Sequence, residues 1–133
     1  MSQWDAIAGM PMPVPGDGVG KEIQQWAIEL IAYDESQSHF VRELIIADIK
    51  EKRRQGILKY GRPLRAEDGR DTPKELYYEL LDAHMYALKG VAEAEASQAR
   101  DKAEWMEYYT DMADMLRQQL ISVRLNIYKI TNS

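Results

Sequence analysis

From Lys21 onward apolar side chains recur every three or four positions, and no window alternates apolar with polar residues for long. The first spacing marks one face of an α-helix and the second would mark a strand, so the pattern predicts an all-α fold. Helix breakers divide it into four segments. The first helix runs about Lys21 to Tyr33, with Ile23, Trp26, Ala27, Leu30 and Ile31 on one face. After the polar connection Asp34-Glu35-Ser36-Gln37-Ser38, a second runs from about His39 to Tyr60, where Gly61 and Pro63 stop it. Residues 61–71 form a loop rich in turn formers and arginine. The third helix opens on Thr72-Pro73-Lys74-Glu75, which reads as a capping box with threonine as N-cap, and continues to about Lys89, Gly90 marking a kink or stop. The fourth spans about Ser97 to Tyr128, with Trp105, Tyr108, Tyr109, Met112, Leu116, Leu120, Val123 and Ile127 as its apolar stripe.

Ahead of these, residues 1–20 read as a flexible arm, because Met10-Pro11-Met12-Pro13-Val14-Pro15-Gly16 cannot hold a helix. Gly16, Gly18 and Gly20 have neither the spacing nor the preceding strand of a dinucleotide-binding loop. At 133 residues the chain has room for one domain, expected over 21–133. With 45% hydrophobic and 29% charged residues, that domain has the means to build a packed core.

The absence of cysteine excludes a disulfide scaffold, a thiolate zinc site and a cysteine nucleophile, and His39 and His84 are too few to carry a zinc centre unaided. No apolar run approaches the ~18 residues of a membrane span, and the start of the chain lacks signal-peptide features, so the expectation is a cytoplasmic protein with no membrane partner.

Charge is distributed unevenly. Residues 50–70 hold Lys50, Lys52, Arg53, Arg54, Lys59, Arg62, Arg65 and Arg70 against Glu51, Glu67 and Asp68, a local +5 in a chain whose net charge is −5. A solvated basic face is one explanation. No nucleic-acid-binding signature accompanies the segment, and no polymeric nucleic acid is expected as partner.

The acids are the less ordinary feature. On a helical wheel at about 100° per residue with Leu76 at zero, Glu75, Glu79, Asp82 and Tyr86 fall between roughly 240° and 300°. Apolar residues flank that strip on both sides, which predicts a buried central helix with acids at its core. In the second helix Asp48 sits among Val41, Leu44, Ile45 and Ile49, with Glu51 at the edge of the stripe. Buried carboxylates need positive partners. Arginine or lysine is one possibility, the capping box is another for Glu75, and divalent metal is the third, since Mg²⁺ and Mn²⁺ favour hard oxygen ligands. His84 lies well off the strip and reads as structural.

Asp48-x-x-Glu51, a gap of 27 residues and Glu79-x-x-Asp82 resemble the paired acids of the all-α nucleoside triphosphate pyrophosphohydrolases, the MazG-like group. Between and around them, Gln55-Gly56-x-x-Lys59-Tyr60-Gly61-Arg62-Pro63-Leu64, Asp68-Gly69-Arg70-Asp71 and Glu75-Leu76-Tyr77-Tyr78-Glu79-Leu80-Leu81-Asp82-Ala83 are similar to small viral and prophage members. The resemblance covers about residues 40–90. Asp48 stands where the broad family usually has glutamate, and Asp68 where small viral relatives often carry asparagine.

The resemblance implies a four-helix-bundle-like fold and hydrolysis of a nucleoside triphosphate between the α and β phosphates, with two or more Mg²⁺ or Mn²⁺ ions as cofactors. Glu79 and Asp82 would bind metal, with Asp48 and Glu51 opposite, and Glu51 or Glu75 would serve as base, Glu75 alternatively as a further ligand. Lys59, Arg62 and Arg70 would hold phosphates, arginine with a bidentate grip. Tyr86, like Tyr60 and Tyr78, is a candidate to stack on a base or bond the sugar, with core packing as the alternative. Relatives imply a homo-oligomer, dimer or tetramer, and small viral ones a purine deoxynucleotide (dGTP or dATP) as substrate, in the host cytoplasm where the gene is a phage's. A dUTP-type hydrolase and a non-catalytic helical interaction protein are the alternatives.

Overall fold

The computed structural model describes residues 20–132; the arm expected over 1–20 lies, but for Gly20, outside the described residues. The chain is all-α. Among the described residues four helices, α1 (Ile23–Ala32), α2 (His39–Tyr60), α3 (Thr72–Ala96) and α4 (Lys102–Thr131), make up the regular structure, and an isolated antiparallel bridge joins Glu22 to Arg65. The described chain gathers into two compact units divided between Arg70 and Asp71.

In the first unit α1 packs against α2. Glu22 caps α1, its carboxylate accepting from Gln25 N–H at 2.6 Å, and Arg42 closes the other end by donating from Nη1 to the Ala32 carbonyl at 2.7 Å. Ser38 Oγ caps α2, and Gly61, in the left-handed region at φ 79°, ends it by donating its N–H to Ile57 O. Both ends of α2 fall where the sequence predicts them.

Its buried face does not. Ile46 is buried and Arg42, Ile45, Ile49, Arg53, Gly56 and Ile57 are half-buried, whereas Val41, Leu44, Asp48 and Glu51 are exposed. Two apolar arcs coexist on this helix, and the one containing Ile46 meets α1. Asp48 therefore lies outside the buried stripe rather than inside it.

The second unit is an antiparallel hairpin of α3 and α4. Near the open end Tyr77 and Ile127 form its core, with Tyr78, Leu81, Leu120 and Val123 packed around them. Toward the turn the buried positions are small: Ala87, Gly90, Ala94 and Ala113. A Cβ on Gly90 would lie 2.6 Å from the Tyr109 ring, so α3 runs through this glycine to Ala96 and uses it for close packing, not as the expected kink or stop.

Two further expectations change. The N-cap of α3 is Asp71, not Thr72: its Oδ1 accepts from Lys74 N–H, and Glu75 N–H already donates along the helix to Asp71 O. Aspartate is at least as good a cap as threonine, and with the register advanced by one residue Glu75 falls beyond capping-box reach. The buried central helix is also not seen. Leu76, Met85, Tyr86 and Leu88 are exposed, as are Glu79 and Asp82, while Glu75 is half-buried. His84 is half-buried, with Nε2 enclosed and without a hydrogen-bond partner among the described residues.

Candidate functional site

The loop after α2 is tied to the start of α1 by backbone pairing. Ile23 N–H donates to Leu64 O at 2.9 Å and Ala66 N–H to Lys21 O at 2.8 Å, while Arg65 Nη1 reaches Gly20 O at 3.2 Å. Gly20 permits this approach, since a Cβ there would sit 2.2 Å from Ala66 O. Behind the pairing, Arg53 Nε donates to Glu22 Oε1 at 2.6 Å. Burial pushes the Glu22 carboxyl up, but hydrogen bonds from Arg53 and Gln25 N–H and the charges of Arg53 and Arg65 hold it below its ordinary 4.5. The loop turns back through two left-handed residues, Glu67 (φ 61°) and Gly69 (φ 84°), and Asp68 Oδ1 accepts from Arg70 N–H at 3.1 Å.

This scaffold encloses a cleft of about 370 Å³ lined by Gln24, Gly56, Tyr60, Arg62, Pro63, Leu64, Asp68 and Arg70. Tyr60 is 59% exposed, and its ring has Lys59 Nζ at 5.1 Å and Arg70 Cζ at 5.6 Å from the centroid. Three of the four expected substrate-binding residues, Lys59, Arg62 and Arg70, thus gather at one place. The fourth, Tyr86, is 72% exposed on α3 in the other unit. Arg65 is occupied with Gly20 O.

Sequence reasoning held Tyr60 between stacking and core packing and passed over Gln24 altogether. Tyr60 carried a signal, its place between Lys59 and the arginine loop. Gln24 carried none, since it is 40 residues away in the chain from Leu64, whose N–H it accepts at 3.2 Å.

Of the expected metal residues, Asp48 and Glu51 share the cleft's unit but do not line it. On α2, at about 100° per residue, Asp48 is turned roughly 80° and Glu51 roughly 140° from Gly56. Glu51 is in an ion pair: Arg54 Nη2 and Nε donate to its two oxygens at 2.6 and 2.9 Å, and Gln55 Nε2 adds a third bond at 3.1 Å. These bonds hold its carboxyl down to about 2. The ion-pair alternative is thus what the structure displays for Glu51. On α3, Glu79 and Asp82 stand one turn apart on an exposed face, with Glu75 a turn before them and Tyr86 a turn after.

Among the described residues no three His, Asp or Glu side chains gather as a metal-holding group. A shallower groove of about 240 Å³ beside the α3–α4 turn, among Gly90, Glu93, Trp105 and Tyr109, contains none of the expected residues. No helix among the described residues is long and apolar enough to cross a membrane. Comparisons with protein-family models, with curated proteins and with solved structures find no match.

Proposed function

We propose that the chain is a metal-dependent pyrophosphohydrolase of the MazG-like kind, converting a nucleoside triphosphate to monophosphate and pyrophosphate. The observation that carries this reading is the cleft lined by Tyr60, Arg62 and Arg70, with Lys59 Nζ and Arg70 Cζ within 5.1 and 5.6 Å of the Tyr60 ring centroid. Guanidinium groups grip phosphate oxygens in pairs, and a phenol ring accepts a stacked heterocycle. A ligand with a dense anionic end and a flat aromatic end suits both.

Asp48 on α2 and, separately, Glu79 and Asp82 on α3 are exposed carboxylates, accessible hard oxygen donors of the kind Mg²⁺ or Mn²⁺ takes. Glu51 fits only once Arg54 releases it. With one or two carboxylates per ion, water and phosphate oxygens complete the usual shell. Such ions, when bound, would screen the triphosphate charge and acidify the attacking water. Glu75, one turn before Glu79 on α3, would be a further ligand or the base that accepts the water's proton.

The favoured substrate is a purine deoxynucleotide, dGTP or dATP, in phage nucleotide metabolism, with a dUTP-type activity as the variant the same cleft permits. The exposed rows Leu76, Met85 and Leu88 on α3 and Val41 and Leu44 on α2 support assembly as a homo-oligomer. They equally favour a second reading, a helical interaction protein whose acids are solvated or paired as Glu51 is.

Pyrophosphate release from dATP, dGTP, dCTP, dTTP and dUTP with Mg²⁺ or Mn²⁺ tests the proposal. The expected result is pyrophosphate that disappears with EDTA and in Glu79→Gln. Release of orthophosphate instead would place cleavage at a different bond, and a folded protein with no turnover would favour the interaction reading.

A further inference from the structure

The cleft lining is not wholly cationic. Gln24 and Asp68 line the same space as Arg62 and Arg70. Asp68 brings a negative charge that disfavours a ligand anionic along its whole length. Gln24 is held firmly: the pairing of residues 21–23 with 64–66 fixes the start of α1, and Leu64 N–H donates to Gln24 Oε1 at 3.2 Å. Leu64 N–H takes one lone pair of Oε1, and the Nε2 donors have no partner among the described residues. An amide donor lining the same cleft as an exposed aromatic ring suits a neutral heterocycle with a ring-nitrogen or carbonyl acceptor.

We infer that Gln24 is a specificity-determining residue of this cleft, its Nε2 donating to an acceptor on the base while Arg62 and Arg70 hold the phosphates. The inference rests on the phosphate-binding reading given above, and binding measurements separate the two. Full-length protein is titrated with tripolyphosphate and with α,β-methylene deoxynucleoside triphosphates of the five bases, in Mg²⁺, as wild type and as Gln24→Glu.

Glutamate keeps an oxygen for Leu64 N–H but removes both donors, and its charge weakens all the phosphate ligands together, so the ratio of nucleotide to tripolyphosphate affinity isolates the donor. Wild type is expected to prefer at least one nucleotide over tripolyphosphate, and Gln24→Glu to cut that preference about 3- to 10-fold, the scale of one hydrogen bond. Should Gln24→Glu melt below the working temperature, the uncharged Gln24→Met serves, with the same loss of ratio expected. A ratio unchanged in a folded variant, or a wild type that binds tripolyphosphate as tightly as every nucleotide, overturns the role of Gln24 and leaves the phosphate cleft intact. A wild type that binds neither kind of ligand overturns the phosphate cleft and Gln24's role with it.

Discussion

Glu22 serves two purposes with one carboxylate, capping α1 through Gln25 N–H and receiving Arg53 from α2. Its side chain is only 13% exposed, but Arg53 is 39% exposed, so solvent screens part of the attraction. Loss of a cap is worth about 1 kcal/mol, and the charge-assisted bond adds a fraction of that after screening. Glu22→Ala should therefore lower unfolding stability by about 1–2 kcal/mol in a urea titration. The pH dependence has a definite sign. Glu22 and Glu51 both have folded values below the ordinary 4.5, about 2 for Glu51, so the unfolded chain binds more protons in that interval. Their stabilisation is complete above about 4.5 and is lost as pH falls through the lowered values. The urea midpoint should decline between pH 4.5 and 2, less steeply in Glu22→Gln; an unchanged slope would remove Glu22 from the account.

At the level of the helices, caps and close approaches decide where each element starts and how it packs. Asp71 as the α3 cap predicts that Asp71→Ala costs about 1 kcal/mol while Thr72→Ala stays within about 0.5 kcal/mol. The reverse order would restore the threonine cap that the sequence suggests. Gly90 poses the opposite problem. Alanine gains about 1 kcal/mol of helix propensity, but its Cβ would press within 2.6 Å of the Tyr109 ring near its root, where the side chain has little freedom to yield. Overpacking of this kind costs about 1–3 kcal/mol, so Gly90→Ala should be neutral to destabilising rather than stabilising. Combining it with Tyr109→Ala should recover the propensity gain, which thermal melts of the four proteins in the cycle will show.

For the whole molecule the test is ligand linkage. Metal bound only by the folded chain stabilises it by mass action, about 2.7 kcal/mol at a concentration one hundred times Kd. Melting temperature should rise with Mg²⁺ or Mn²⁺, return with EDTA and lose its response in Glu79→Gln, whereas a chain whose acids are only solvated or paired would ignore the metal. The sequence by itself determined the helical class and both ends of α2, because Ser38, Gly61 and Pro63 act on backbone within a turn of themselves. Lys59 and Arg62 are neighbours at the C-terminal end of that helix, whereas Arg70 comes beside the Tyr60 ring through the turn at Glu67–Gly69. Only tertiary structure decided which of two apolar arcs on α2 is buried, and so moved Asp48 from the core to the surface. It also brought Gln24 to the cleft and joined Glu22 to Arg53. Those contacts span 40 and 31 residues and depend on how closely Gly20 approaches Ala66, a fit between surfaces that no local pattern of side chains contains.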